Sequence, residues 1–439
     1  MSLYQHYPAH IAALQQRTRQ LLQASAFDYL VIHSGSRARQ FLDDQHYPFV
    51  VNPHFKAWLP LLDSPNCWLI VNGDDKPKLL LHHPEDYWQQ RPPLPPEEVL
   101  GHFALQWLTR ADDASHWLPP PQQAVFIGEN IELARLLGFA GINSDELLQP
   151  LHYWRAYKSH YELDCLRQAS RAAIAGHKAA AAVFATGGSE LDIHLAYLAA
   201  SGHSEAQLPY ANIIGVNEHA AILHYSALER EPPAAPLSLL IDAGASCNGY
   251  AADISRTYAA TPGPFAALVA GLEQLQQQLV AVVQPGLAFP ALHERCHQGI
   301  AALLLEHGLA RGSSESLIAQ RLTHAFFPHG LGHLLGLQVH DVGGHLADEL
   351  GRQQPPAADH PYLRLTRPLG ENMVLTIEPG LYFIPELLQR LAAAPAGAQV
   401  NWPLVDALRP YGGIRIEDNV QVTATGVVNL SRELWVENA

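Results

Sequence analysis

The sequence predicts an α/β N-terminal domain over residues 1–155, followed by an α+β C-terminal domain over residues 156–439. Three observations predict it. Short apolar runs alternate with helical patterns through the first third of the chain. A long helical pattern starts just after residue 155 and marks the boundary. Beyond it, acidic residues recur at the ends of strand-like runs: Asp242, Asp253, Glu378 and Glu417, with His333 among them.

The N-terminal elements follow in order. IAALQQRTRQLLQAS has helical spacing of apolar residues. FDYLVIHSG, CWLIVNG, KLLLHH and AVFIGE are apolar runs bounded by turn residues and read as strands, and ELARLLGF reads as a second helix. Proline-rich pieces, RPPLPPEE and LPPPQQ, interrupt this domain. The segment KSHYELDCLRQASRAAIAGHKAAAAVFAT repeats apolar residues every three or four positions and is a long helix. EPPAAP is a loop before the first acidic strand, and residues 345–362 and 391–411 also read as loops.

Composition limits the function classes. The chain has 439 residues, 48% hydrophobic and 16% charged, enough apolar content for a full core. A net charge of −15 leaves no basic footprint for a nucleic-acid partner. The four cysteines, Cys67, Cys165, Cys247 and Cys296, form no CxxC pair and no disulfide framework, so a reducing, cytoplasmic setting is expected. The opening residues read as an amphipathic helix rather than a signal peptide. No apolar run is long enough for a membrane span, so no membrane partner is expected.

The acidic series carries the chemistry. LSLLIDAGAS and YAADISRTYA are strand-like and meet at Cys247, Asn248 and Gly249, the mark of a β-hairpin. A loop over Ser246–Gly249 would set Asp242 directly across from Asp253. A tight Asn248-Gly249 turn would shift the register by two and leave both on one face. Like charges so placed oppose each other unless a cation lies between them. His329, His333 and His340 lie in FFPHGLGHLLGLQVHDVG. On a helix the first two would share a face, but Gly330, Gly332 and Gly336 argue against a regular helix and allow close backbone approach. His224, in AAILHYS, is flanked by apolar residues and is a further inward-facing candidate. Glu378 ends a β-branched run just before Pro379, which closes the strand. Arg415 and Glu417 are two apart and share a strand face, and taken alone they read as a buried Arg–Glu pair. Four carboxylates and one imidazole are too many anions to gather without a cation, so the series predicts a site for two divalent metal ions.

A competing motif is HERCH at His293–His297, which matches the H-E-x-x-H zinc signature. The alternative is an ordinary amphipathic helix with Leu292, Cys296, Ile300 and Leu304 as its buried stripe. The helix reading is preferred, because a zinc site there would leave the acidic series unexplained.

Taken together, D-x10-D, HGLGH, HDVG, TIEPG and RIED resemble the pita-bread metallopeptidases, the group of methionine aminopeptidase, aminopeptidase P and prolidase. Residues 1–155 resemble the extra N-terminal domain of prolidase and aminopeptidase P. FLDDQHYPFVVNPHFKAWLP, LPYANIIGVNEHAAILHY and YFIPELL are most similar to bacterial prolidases, including those known as organophosphorus acid anhydrolases. The resemblance implies a homodimer that hydrolyses Xaa-Pro dipeptides, with aminopeptidase P activity on longer peptides as the alternative and phosphotriester hydrolysis as a side activity. It implies two Mn²⁺-type ions, with Co²⁺ or Zn²⁺ as alternates. Asp242 and Asp253 would serve the first ion, Asp253 and Glu417 would bridge, and His333 and Glu378 would complete the second. Glu378 would carry the proton, and His340 and His224 would stabilise the oxyanion or orient the substrate. Arg364 would hold the proline carboxylate with help from His329. Tyr210, Arg415, Asp44 and Trp88 complete the expected substrate pocket, Asp44 from its own or a neighbouring subunit.

Overall fold

The computed structural model describes residues 2–85, 87–88 and 92–437. The chain forms two compact units. One is Met1–Trp154 with Ser159–Cys165 and Asp348–Arg352. The other is Arg155–Lys158, Leu166–Ala347 and Gln353–Ala439.

The first unit is built on one mixed sheet. Its strands are β1 (Tyr29–His33), β2 (Trp68–Val71), β3 (Lys78–His82), β4 (Ala104–Leu108), β5 (Ala124–Ile127) and β6 (Gly141–Ile142), in the order β4-β3-β2-β1-β5-β6. β1 runs antiparallel to β2 and parallel to β5. The runs with continuous apolar character became the inner strands, because both sheet faces are covered there and alternation has no use. β4 lay outside the sequence expectation. It is an edge strand in which only Leu108 is buried, so it carries no apolar pattern. The helix Tyr7–Gln23 places Pro8 in its first turn, where a missing N–H breaks no bond. Arg91, within the RPPLPPEE stretch, lies outside the described residues.

The second unit holds the acidic series. β7 (Ile213–Val216), β8 (Ser238–Asp242) and β11 (Ser255–Ala259) form one sheet in the order β11-β8-β7, and the short β9 (Ser246–Cys247) and β10 (Tyr250–Ala251) close the hairpin. β12 (Val374–Ile377), β15 (Asp418–Thr423) and β16 (Gly426–Asn429) form a second sheet. β13 (Gly380–Tyr382) pairs with β14 (Gly413–Arg415). A bridge between Ser255 and Glu417 ties β11 to the segment between β14 and β15, so the two sheets meet at the acids.

Helices cover this framework. Pro264–Val280 and Phe289–Glu306 pack together through Leu268, Leu272 and Leu275 against Leu292, Cys296 and Ile300. A Cβ on Gly299 would lie 2.2 Å from the end of the Leu275 side chain, so a larger residue there would have to displace that leucine. The predicted long helix runs His160–Ala185. Its Ala169, Ala173 and Ile174 bury the hairpin residues Ala245, Ala252 and Ile254. One expectation is corrected: residues 391–411 are not a loop but contain the ends of short helices, including Trp402–Leu408. Prolines start these helices at their first turns, where a missing N–H breaks no bond.

Candidate active site: a carboxylate cage

The hairpin takes the tight turn. Cys247 pairs with Tyr250 across Asn248 and Gly249, whose φ values of 50° and 85° suit a two-residue hairpin turn. The same register continues to Asp242 opposite Ser255, and the Ala243 N–H donates to the Ile254 carbonyl at 3.0 Å. Asp253 therefore lies across from Gly244, two positions along from Asp242 and on the same face. A Cβ on Gly244 would sit 2.2 Å from the Ala252 carbonyl and 2.7 Å from Tyr210. The glycine in IDAGAS is thus what lets the strands close around the two aspartates.

The HGLGH segment is extended, not helical. The Thr376 N–H donates to the His333 carbonyl at 2.9 Å, Glu378 N–H to Leu331 at 2.8 Å, and Leu335 N–H to Val374 at 3.0 Å. His329 and His333 still share a face, through the two-residue period of an extended chain rather than a helical turn. Gly332 is required by this pairing, since its Cβ would lie 2.0 Å from the Thr376 carbonyl. The result sets His333 Nε2 at 3.4 Å from Asp253 and 3.6 Å from Glu378. The His333 Nδ1–H donates to the Leu334 carbonyl at 3.0 Å, which leaves the Nε2 lone pair facing the acids.

Arg415 answers Asp242, not Glu417 as the Arg–Glu pair reading had it. Its Nη2–H donates to Asp242 at 2.7 Å, its Nε–H to Ser255 Oγ at 3.1 Å and its Nη1–H to Tyr382 Oη at 2.9 Å. The Ser255 hydroxyl in turn donates to Glu417 at 2.7 Å. Tyr382 donates to His329 Nε2 at 2.8 Å, while His329 Nδ1–H donates to the Gly330 carbonyl. His340 stands against His333 with ring centres 4.5 Å apart and planes at 89°.

These charges do not balance. Burial, and then the neighbouring acids Asp253 and Glu378, push Glu417 well above the carboxylate range. Burial pushes Glu378 up to about 7 despite His333. Burial also raises Asp242, with Asp253 adding to it against Arg415. For Asp253 burial acts upward too, but His333 and Tyr210 hold it below its ordinary value. The Tyr210 phenol lies 2.7 Å from Asp242 and 2.5 Å from Asp253. A phenol has one proton and cannot donate to both. Four clustered carboxylates, Asp253 and Glu417 buried and Asp242 and Glu378 partly so, are answered by one guanidinium and one imidazole; with Asp253, His333 and Glu417 offering donor atoms within 4.8 Å of one another, they fit a group of divalent cations.

Comparisons with known proteins agree with this geometry. Residues 5–153 match the family described as "Xaa-Pro dipeptidase, N-terminal domain", and residues 164–424 match "Metallopeptidase family M24". The chain belongs to metallopeptidase family M24. It is 50% identical over 433 residues to a Xaa-Pro dipeptidase of Shewanella sp. (strain W3-18-1), covering 98% of each chain. It is 49% identical to the Xaa-Pro dipeptidase of Shewanella baltica (strain OS185), over 98% of each. Among solved structures it resembles proline aminopeptidase P II from Yersinia pestis at 26% identity and TM-score 0.71, over 99% of this chain and 97% of that one. Zn-substituted Escherichia coli aminopeptidase P, at 23% identity and TM-score 0.73 over 99% and 98%, shares the fold. The M24 pita-bread fold with an N-terminal domain in front is therefore the architecture of this chain.

Within the M24 unit the expected site residues fall as follows. Asp242, Asp253, His333, Glu378, Glu417, Tyr210, Arg415, His329 and His340 are joined by the contacts above. Arg364 and His224 are exposed, and the Arg364 charge acts on His340. With partial burial and the neighbouring His333, His340 reaches about 4 and is neutral at pH 7. Asp44 and Trp88 are exposed residues of the N-terminal unit.

Sequence reasoning missed several supports. Ser255 links Arg415 to Glu417, and its signal was its two-residue offset from Asp253 on one strand. Tyr382 joins Arg415 to His329. Asp341 of HDVG is buried against Arg155 and Lys158, so it anchors the loop that carries His340. His177 donates to the Ala243 carbonyl at 3.0 Å from the long helix, just past Asp242.

Proposed function

We propose that this M24 hydrolase is a dinuclear-metal dipeptidase that cleaves the Xaa-Pro bond of dipeptides. One observation carries the metal reading: four carboxylates, two of them buried and two partly buried, face one another with Arg415 and His333 as their compensating groups. Asp242 and Asp253 would hold one ion, His333 and Glu378 the other, with Asp253 and Glu417 shared. Mostly oxygen donors favour a hard ion such as Mn²⁺, with Co²⁺ or Zn²⁺ able to occupy the same cage. When bound, the ions supply Lewis acidity and an acidified water.

The chain's own groups do the rest. Glu378 would take a proton from the attacking water and pass it to the leaving imide nitrogen. His340 is neutral, and a ring N–H would donate to the developing oxyanion, with His224 beside it. Arg364 holds the substrate's proline carboxylate, assisted by His329. Arg415 and Tyr210 fix the aspartates in place. Asp44 and Trp88 serve the substrate's N-terminal residue, Asp44 from its own or a neighbouring subunit. The loop around Asp44 exposes Phe41 at 87% and Leu42 at 91%, which supports contact with a second copy and a homodimer.

The relatives at half identity bear the dipeptidase name, and the more distant solved structures bear the name aminopeptidase P. That contrast favours the dipeptide. Turnover of a Xaa-Pro dipeptide series beside matched Xaa-Pro-Yaa tripeptides tests it: preference for dipeptides supports the reading, and equal or faster tripeptide cleavage makes the chain an aminopeptidase P. Slow cleavage of P–F or P–O-aryl triesters is expected as a side reaction, and a flat trace removes it. Among the described residues no helix is long and apolar enough to cross a membrane. The cytoplasm is the proposed location, in line with four free cysteines.

A further inference from the structure

The HERCH helix has the predicted apolar stripe, but its two histidines are buried as well. His293 and His297 are 2% and 3% exposed, as deep as Leu292 and Cys296. The loop residue His360 completes a group with them: one ring nitrogen from each of the three lies within 4.8 Å of the others. His293 Nε2 and His360 Nδ1 are 3.0 Å apart. His324 flanks the group, stacked on His297 at 4.5 Å and on His360 at 5.3 Å.

Three features mark a ligand site rather than a packed core. First, His297 Nδ1 is 2.9 Å from the fully buried Thr323 hydroxyl. A ligating imidazole characteristically donates its second N–H to such an oxygen, and this leaves Nε2 bare. Second, the interior is under-satisfied: His293 Nδ1 and both nitrogens of His324 have no well-formed hydrogen bond, although the Asp359 carbonyl lies beside His324. Third, among the described residues the three nitrogens group without a carboxylate oxygen, although the charges of Glu294 and Asp359 act on His360. Tetrahedral zinc with Zn–N of ~2.0–2.1 Å needs nitrogens about 3.4 Å apart, within reach of small ring rotations here. Burial holds His293 near 2 and His297 near 3, so both are neutral and able to ligate at pH 7.

We propose that His293, His297 and His360 form a structural site for a single borderline divalent cation such as Zn²⁺, separate from the carboxylate cage. Imidazole donors favour Zn²⁺ over Mn²⁺, the reverse of an oxygen-rich cage. Glu294, which would be the base in a zinc peptidase, is exposed on the helix, and its charge acts on His360. What a bound ion does is tie the irregular chain around His360, four residues before Arg364, to the helix Phe289–Glu306. Phe327 lies between this group and the cage, its ring 5.6 Å from His293 and 4.8 Å from His329.

The test counts metal in the full chain carrying Asp253→Ala, which removes the cage as a competitor. Stripped protein is titrated with Zn²⁺ and, separately, with Mn²⁺, beside the same chain with His360→Asn added. The expected result is about one equivalent of tight Zn²⁺ and no Mn²⁺ in the first protein, and none of either in the second. No Zn²⁺ in the first, or the same Zn²⁺ in both, overturns the site. His360→Asn changes a half-buried loop residue rather than the helix, and a matching melting curve without metal confirms that the loss is of ligand, not of fold. Because the readout is stoichiometry without turnover, it stands or falls apart from the peptidase reading.

Discussion

The two histidine-bearing clusters of the M24 unit solve opposite problems. Around His333, buried carboxylates crowd together and raise one another's proton affinity. Around His293, buried imidazoles crowd together and lower it. A cluster of acids carries net charge that must be met by protons or by cations, so emptying it is costly. A cluster of neutral imidazoles carries none, so its metal-free state costs only what the unpaired ring nitrogens cost. The comparison teaches that donor type sets both the metal and the penalty for its absence.

The largest expected break in the comparison is Asp253→Ala. It removes a donor shared by both ions, and turnover should fall at least ~10³-fold in a steady-state assay with the circular-dichroism spectrum unchanged; retained activity would refute the cage. Next is Glu378→Gln, which keeps shape but not the proton: kcat should fall roughly 10²–10⁴-fold. Arg364→Ala follows, with KM up about tenfold or more and kcat little changed, as expected for a group that binds the substrate without entering the chemistry. A fall in kcat at constant KM would move Arg364 out of that role.

Proton release sharpens the contrast further. The folded value of about 7 for Glu378 lies above the unfolded ~4.3 for glutamate. The folded metal-free protein therefore binds the extra proton, and stability from this group is lost as pH rises through that window. Adding Mn²⁺ should displace the proton, so release measured in weak buffer should be larger at pH 6 than at pH 8. The smallest effect belongs to His293→Asn: with Mn²⁺ supplied, turnover should stay within about twofold of the parent, whereas a zinc peptidase at HERCH predicts its loss.

Much of the cage was legible because its residues sit in local patterns with physical meaning. The Asn248-Gly249 turn fixed one of two registers, and the structure takes the one that sets the aspartates on a common face. Gly332 announced close approach, and the Thr376 carbonyl is what approaches. What stayed hidden depends on partners far along the chain. Nothing near Ser255 says that Arg415 will reach it, and nothing near Asp341 says that Arg155 and Lys158 will bury it. His293 and His297 read as polar positions beside an apolar stripe. Their burial follows from Thr323 and His360, which the helix meets only after folding. β4 was missed for the opposite reason, since an exposed edge strand has no pattern to read.

The most direct measurement is turnover of a Xaa-Pro dipeptide by protein stripped of metal and then titrated with Mn²⁺. The account predicts no cleavage in the stripped protein and a rise that saturates near about two equivalents. Full cleavage without metal, or saturation with no bound Mn²⁺, would contradict it.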